Sequence, residues 1–363
     1  MNRSTSLYLD IVRPMAAIIV LLSHVSYNNL SGGQLGLLSS SGIQAVDVFF
    51  VLSGFVIAHV CATRENDAKS YFVSRATRIY SVAIPAIVLT AILDFVGHLE
   101  SPATYDGPYQ AFTPGVVIRS IFFLGEQWNT HRFPGSDGPY WSLGFEVWYY
   151  IAFGLFVFLP RRCRWVATAA VLAFIGPKVA VMFPCWLLGV AAYHFCVKRN
   201  LTPAVGWLLL IAPIFAFIGY EAAPHSPVPQ FMNLEFDPRR VWGTGQDYLI
   251  SFLFTLHLVG YYTVSGTFDW LQRYSRGIRW VSGATFTIYL MHLPIMHLVS
   301  ASSPWSKSSP WTLGLLLVLT PITCFALADT LERRKEFWRI VVMRPLGQIS
   351  HRRNWLVNEP PPG

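Results

Sequence analysis

The chain has 363 residues, of which 53% are hydrophobic and 15% aromatic, with only 13% charged and a mean hydropathy of +0.43. An average soluble domain carries about 25% charged residues. No polar globular stretch separates the apolar runs, which excludes two soluble domains in favour of one integral membrane domain. The net charge of +8 is accounted for by membrane topology and requires no nucleic acid.

Ten apolar segments follow one another at about 7–27, 44–61, 79–97, 142–159, 164–176, 179–196, 205–220, 247–264, 281–300 and 311–328. The predicted fold is all-α, a polytopic membrane helix bundle of about ten transmembrane helices. Segments 164–176 and 205–220 fall short of the roughly 20 residues that a span needs. The fifth and sixth are divided only by Gly176-Pro177-Lys178. With the N-terminus in the cytoplasm, 20 of the 27 basic residues fall inside, six outside, and Arg13 within a span. That asymmetry satisfies the positive-inside rule. Both termini are then cytoplasmic, with a membrane domain over 1–332 and a basic tail over 333–363.

The outer connections 98–141 and 221–246 are long and rich in Pro, Gly and aromatic residues, a length usually tied to function. Within the first, Gly115–Gly125 reads as a re-entrant or surface helix. Arg13 interrupts the first apolar run, so no cleavable signal peptide is expected. The five cysteines form no C-x-x-C pair and read as packing residues, and no metal site is expected.

The informative residues are polar ones inside apolar segments, which are expensive to keep and mark functional sites. Arg13 and His24 stand eleven positions apart on the first segment. On a helix they share a face, roughly 16 Å apart. Alternating span direction puts Arg13 toward the cytoplasm and His24 toward the outside. The same count places Asp47 and Glu146 near the height of His24, with Tyr289 and His292 at mid-depth. A carboxylate at that height would fix the tautomer of a histidine base and stabilise the imidazolium. Simpler roles also exist: Arg13 has Asp10 one turn earlier as an ion-pair partner, and Tyr289 and His292 suit interhelical hydrogen bonds. Arg75 and Arg78, spaced i, i+3 where the third span begins, make a fork suited to phosphate.

Several motifs lie in order along the chain. They are Arg13 and His24 with ten residues between, the run Val46-Asp47-Val48-Phe49-Phe50-Val51-Leu52-Ser53-Gly54-Phe55, and Arg75-x-x-Arg78. Trp141-Ser142-Leu143-x-x-Glu146 and Thr287-x-Tyr289-Leu290-x-His292-x-Pro294 follow. Together they resemble the acyltransferase-3 family of integral membrane acyltransferases, which modify cell-envelope polysaccharides and some small molecules. The resemblance implies ten core spans with both termini inside, and His24 as the essential histidine with Arg13 as its companion. It also implies Arg75 and Arg78 as contacts for an acyl-CoA donor. Asp47 and Glu146 match acidic positions in the family's blocks. Where many relatives have a glutamate followed closely by proline, Glu332 is followed by Arg333-Arg334, and no role is carried onto it. Fewer than 40 residues follow the tenth segment, so the stand-alone form is expected.

The expected activity is transfer of an acyl group, most often acetyl, from cytoplasmic acyl-CoA to a hydroxyl. The acceptor is a cell-envelope glycan, a lipid-linked sugar or a small molecule. His24, Arg13, Asp47 and Glu146 form the catalytic set, Arg75 and Arg78 hold the donor, and Tyr289, His292 and Trp141 contact substrate. Outer aromatics such as Trp128, Tyr140, Trp141 and Trp242 would suit stacking on sugar rings. The alternative from another class is a proton-coupled secondary transporter, with His24, Asp47 and Glu146 as its relay; an acyl-carrying sensor is a third reading.

Overall fold

A computed structural model describes residues 1–65, 67–106, 109–223 and 244–334. The stretch of the second outer connection that includes Trp242 and the basic tail beyond Arg334 lie outside the described residues. Among those residues there is no β-strand, only an isolated bridge between Gln110 and Gly135. All ten apolar segments are helical: α1 Arg3–Val25, α2 Ser41–Thr63, α3 Ala68–Glu100, α4 Tyr140–Phe158, α5 Arg161–Ile175, α6 Pro177–Lys198, α7 Pro203–Ala222, α8 Thr244–Val264, α9 Thr285–Ala301 and α10 Pro310–Thr330. Among the described residues eight helical stretches are long and apolar enough to cross a membrane; α9 is a shorter apolar helix and α5 has 15 residues. The protein is a multi-pass membrane protein.

Local chemistry sets the helix ends. Asn2 caps α1, accepting from the Thr5 amide at 2.8 Å, and Asp67 caps α3 through the Ser70 amide at 2.9 Å. The tight break between α5 and α6 is real. Gly176 adopts φ +92°, a conformation open to glycine, and a Cβ there would meet the Trp128 main chain at 2.8 Å. Helix α3 is longer than the sequence pattern predicts, at 33 residues or about 50 Å. Arg75 and Arg78 therefore lie well inside a helix rather than at its start.

Helix α9 is buried along nearly its whole length, as expected of a helix apolar on every face. It packs against α1, α3 and α10, while α2 packs against α1, α6 and α8. The α2–α6 seam is close: a Cβ on Gly54 would meet the Trp186 carbonyl, and one on Gly189 the Val51 carbonyl, each at 2.0 Å. Small residues permit such approach between membrane helices. The short helix Pro114–Ile121, capped by Thr113, occupies the predicted surface-helix segment. Of the cysteines, Cys163 is exposed, so it is not the packing residue expected from the sequence; the other four are at least partly buried.

The connection before α4 is folded into the bundle. Asp94 of α3 accepts from the Ser136 amide at 2.8 Å and hydroxyl at 2.6 Å. Ser136 and Asp137 are fully buried. Helix α4 therefore begins inside the bundle, which sets the depth of everything it carries.

Candidate active site

A cavity of about 250 Å³ lies toward the end of the bundle where α1 starts. Its polar lining includes Asp10, Arg13, Ser53, Arg78, Ser142, Glu146, Tyr150, Arg279, Tyr289 and Glu332. Arg13 stands 3.6 Å from Asp10, so the local pair forms, but the guanidinium also faces the cavity. Glu146 is the centre of a network. Its Oε1 accepts from Ser53 Oγ at 2.5 Å and from the Tyr150 hydroxyl. Ser53 is itself held by Trp186 Nε1 at 3.1 Å.

The placement of Glu146 corrects the sequence-based depth. It lines the cavity with Arg13 and Arg78, not the neighbourhood of His24. The cause is the buried start of α4, which lowers Glu146 by the depth of the folded-in connection. Asp47 is also elsewhere. It lies six positions before Ser53 on α2, about 240° around the helix, and faces Asp247 of α8. No carboxylate among the described residues hydrogen-bonds His24.

What orients His24 is a second histidine. His24 Nδ1 lies 2.8 Å from the Val20 carbonyl, and His292 Nδ1 lies 2.8 Å from the Ile288 carbonyl. Carbonyl oxygens only accept, so in the neutral rings each Nδ1 carries the proton. His292 Nε2 is then an acceptor, 3.1 Å from His24 Nδ1, and shares its hydrogen. This leaves His24 Nε2 with a lone pair and no side-chain partner among the described residues. His292 is fully buried. The residue expected at the substrate thus stands directly beside His24.

Tyr289, one turn before His292 on α9, lines the cavity and meets Ser142 Oγ at 2.6 Å. Trp141 is half-buried with its ring edge-on to Phe145 at 5.2 Å. Tyr140 is a strut, donating to the Ser120 carbonyl at 3.0 Å. Beyond the histidine pair, Asn29 donates to the Thr104 carbonyl at 2.7 Å and lies 3.4 Å from His297 Nε2. Tyr105 stacks on His98 at 3.9 Å and tilts against His297 at 5.1 Å.

The arginine fork does not form. Arg75, 6% exposed, pairs with Glu65 and sits 3.9 Å from the centroid of the Tyr71 ring. An i, i+3 spacing still separates two side chains by about 60° around a helix, and here that sends only Arg78 into the cavity. Sequence reasoning missed Tyr150, Arg279 and Glu332. Tyr150 could have been found as the i+4 neighbour of Glu146. Arg279 resembled any other inner-loop charge. Glu332 caps α9, its Oε2 accepting from the amides of Phe286 at 3.0 Å and Thr287 at 3.1 Å, a favourable place for a carboxylate.

A family model described as an acyltransferase domain, of the acyltransferase-3 type, matches residues 6–329. The chain belongs to the acyltransferase-3 family. Among curated proteins it is similar to the peptidoglycan O-acetyltransferase OatA of Listeria monocytogenes, at 26% identity over 49% of this chain and 28% of that protein. It is also similar to the exopolysaccharide production protein ExoZ of Rhizobium meliloti, at 27% identity over 50% of this chain and 61% of that one. A third relative is the acyltransferase MdmB of Streptomyces mycarofaciens, at 28% identity over 48% and 46%. The chain spans less than two thirds of the length of each of these relatives. No solved structure matches. Membership of the acyltransferase-3 family favours the enzyme over the transporter.

Proposed function

We propose that this chain transfers an acetyl group from acetyl-CoA to a hydroxyl of a cell-envelope glycan, with His24 as the general base. The observation that carries the reading is the His24–His292 contact, which leaves His24 Nε2 bare one helical turn beyond the Tyr289 end of the arginine-lined cavity. The bundle end that holds the cavity is the cytoplasmic one, in keeping with the excess of basic residues in the loops there.

The donor enters with its acyl end leading, its pantetheine arm running past Arg13 and Arg78 toward Tyr289. His24 Nε2 takes the proton of the acceptor hydroxyl as the oxygen attacks the thioester carbonyl. The carbon–sulfur bond breaks, and the CoA thiolate leaves and takes the proton from the imidazolium. Such base catalysis is worth typically 10²–10⁴-fold. Glu146, held by Ser53 and Tyr150, offsets the repulsion between the two guanidiniums. The glycan acceptor rests on the names of the relatives OatA and ExoZ.

The test is acetyl transfer by the purified protein in nanodiscs, using labelled acetyl-CoA and isolated envelope glycans. Loss of label transfer in His24→Ala with normal membrane insertion supports the reading. Transfer at the wild-type rate by that variant removes it. Mass spectrometry of envelope glycans from a deletion strain and its parent identifies the acceptor.

A further inference from the structure

We infer that the connection before α4 carries a cleft for an acidic unit of the acceptor, a sugar bearing a carboxylate or a phosphate, held by Arg119 and Arg132. The inference deepens the glycan reading and rests on it.

The cleft measures about 440 Å³, and its lining includes Tyr109, Gln110, Thr113, Arg119 and Arg132. Ligand sites commonly measure about 300–1,000 Å³. It lies far from the arginine-lined cavity. Arg78 lines that cavity, whereas the cleft follows Glu100, the end of α3, about 33 Å further along the same helix. Local hydrogen bonds build its walls. Thr113 caps the short helix that carries Arg119. The Gln110 amide donates to the Gly135 carbonyl at 3.0 Å, and its Nε2 to the His131 carbonyl at 2.9 Å. The Arg132 amide donates to the Gly125 carbonyl at 2.9 Å. Both arginines thus ride on pinned main chain, which lowers the ordering cost of binding.

Charge gives the class of ligand. Arg132 is exposed, and its guanidinium makes no hydrogen bond or ion pair within 4 Å among the described residues. The Arg119 guanidinium has only the Leu124 carbonyl, at 3.4 Å, which leaves most of its five donors open. No described residue that lines the cleft is acidic. On the same connection Glu126 is taken by His131 and Lys178, and Asp106 is exposed and pairs with neither arginine. Two guanidiniums with open donors in one cleft suit a carboxylate or a phosphate. Tyr109 adds a ring for the apolar face of a sugar.

Position makes that ligand part of the acceptor. Tyr109 belongs both to the cleft and to a row of rings that leads back to α9. Its ring lies 4.7 Å from His98, His98 lies 3.9 Å from Tyr105, and Tyr105 lies 5.1 Å from His297. His297 is five positions beyond His292, about 7.5 Å along the helix. The cleft therefore stands to one side of the histidine pair, and the unit it holds is a neighbour of the one acylated.

Equilibrium binding of digalacturonate to the purified full-length protein in zwitterionic-lipid nanodiscs, without acetyl-CoA, tests the cleft apart from the chemistry. The neutral methyl ester keeps the shape and removes the charge, and a phosphorylated disaccharide supplies the other anion. In the wild type at least one anion binds about tenfold more tightly than the ester, the scale of one charge-assisted hydrogen bond, and the tighter of the two names the acidic group. Arg132→Ala and Arg119→Gln each bring that anion down to the level of the ester. Arg132→Lys recovers part of the loss, and Arg199→Ala, exposed past the end of α6, binds as the wild type does. Equal binding of both anions and the ester overturns the cleft and leaves acetyl transfer untouched. So does a loss in Arg132→Ala seen only in anionic-lipid discs, which assigns the arginines to lipid headgroups. Charge-selective binding by a wild type that acylates no glycan removes the acceptor role, and the proposed function with it.

Discussion

The hydroxyls of Ser142 and Tyr289 meet at 2.6 Å one helical turn before His292, and under the proposed reading this bridge divides the donor's space from the histidine pair. Ser142 Oγ also reaches the Pro139 carbonyl at 3.2 Å, which anchors that side of the divide. In Tyr289→Phe the ring remains and the bridge is lost, at a stability cost of about 1 kcal/mol. The expected outcome is faster release of free CoA in the absence of acceptor, read with a thiol reagent. No increase would show that the bridge does not separate the two spaces.

His292 should act on rate through His24. His292→Leu removes an acceptor for His24 Nδ1 but leaves the Val20 carbonyl, so the tautomer is held by one partner instead of two. Loss of one hydrogen bond of about 1.4 kcal/mol predicts a fall of about tenfold in kcat, far milder than His24→Ala. His292→Gln, whose amide oxygen accepts, recovers most of it. Steady-state kinetics with donor KM unchanged is the check; an equal loss in both variants would point to packing alone.

Charge and shape can be separated at Glu146. Glu146→Gln keeps an oxygen for Ser53 and Tyr150 but removes one of the carboxylates that offset Arg13 and Arg78, leaving Asp10 beside Arg13. It should fold normally and lose activity. Glu146→Ala removes an acceptor that Ser53 and Tyr150 share, leaving them only each other at 3.0 Å, at about 1 kcal/mol, and should also melt earlier in detergent. Wild-type turnover by Glu146→Gln would exclude a role for its charge.

Asp137 predicts a pH signature outside the membrane helices. Burial, and then the neighbouring Asp94 carboxylate, push its carboxyl well above the ordinary range, and neither oxygen has a hydrogen-bond partner among the described residues. An acid raised in this way binds a proton in the folded state that the unfolded chain has released above about pH 4. Its presence therefore costs stability increasingly as pH rises from there toward the folded-state value. Asp137→Asn should gain little at pH 4 and progressively more toward pH 8, in paired thermal melts. A pH-independent difference would contradict this.

The helices were legible in the sequence because apolar runs report burial in lipid directly, and all ten segments are helical. Residues on one helix were also legible: Arg13 and His24 share a face because the α-helical repeat fixes it. Depth across different helices was not. Glu146 was misplaced because counting residues assumes that every helix starts at the membrane surface, and α4 starts beneath it. Facing was lost at Asp47 and Arg75, where 60° to 240° of rotation decides the partner and no periodic signal records it. The histidine pair joins residues 268 positions apart, a relation that only the packing of α9 on α1 creates.

Glu332 fastens the last long helix to the first turn of α9. The residue that ends one wall of the cavity is thus also a clasp on the helix that carries Tyr289 and His292. Shortening the chain ahead of residue 332 would unhook that clasp and open the acidic wall at once, although every recognisable motif would remain in place. The clasp acts through two main-chain amides on the helix that also carries His292.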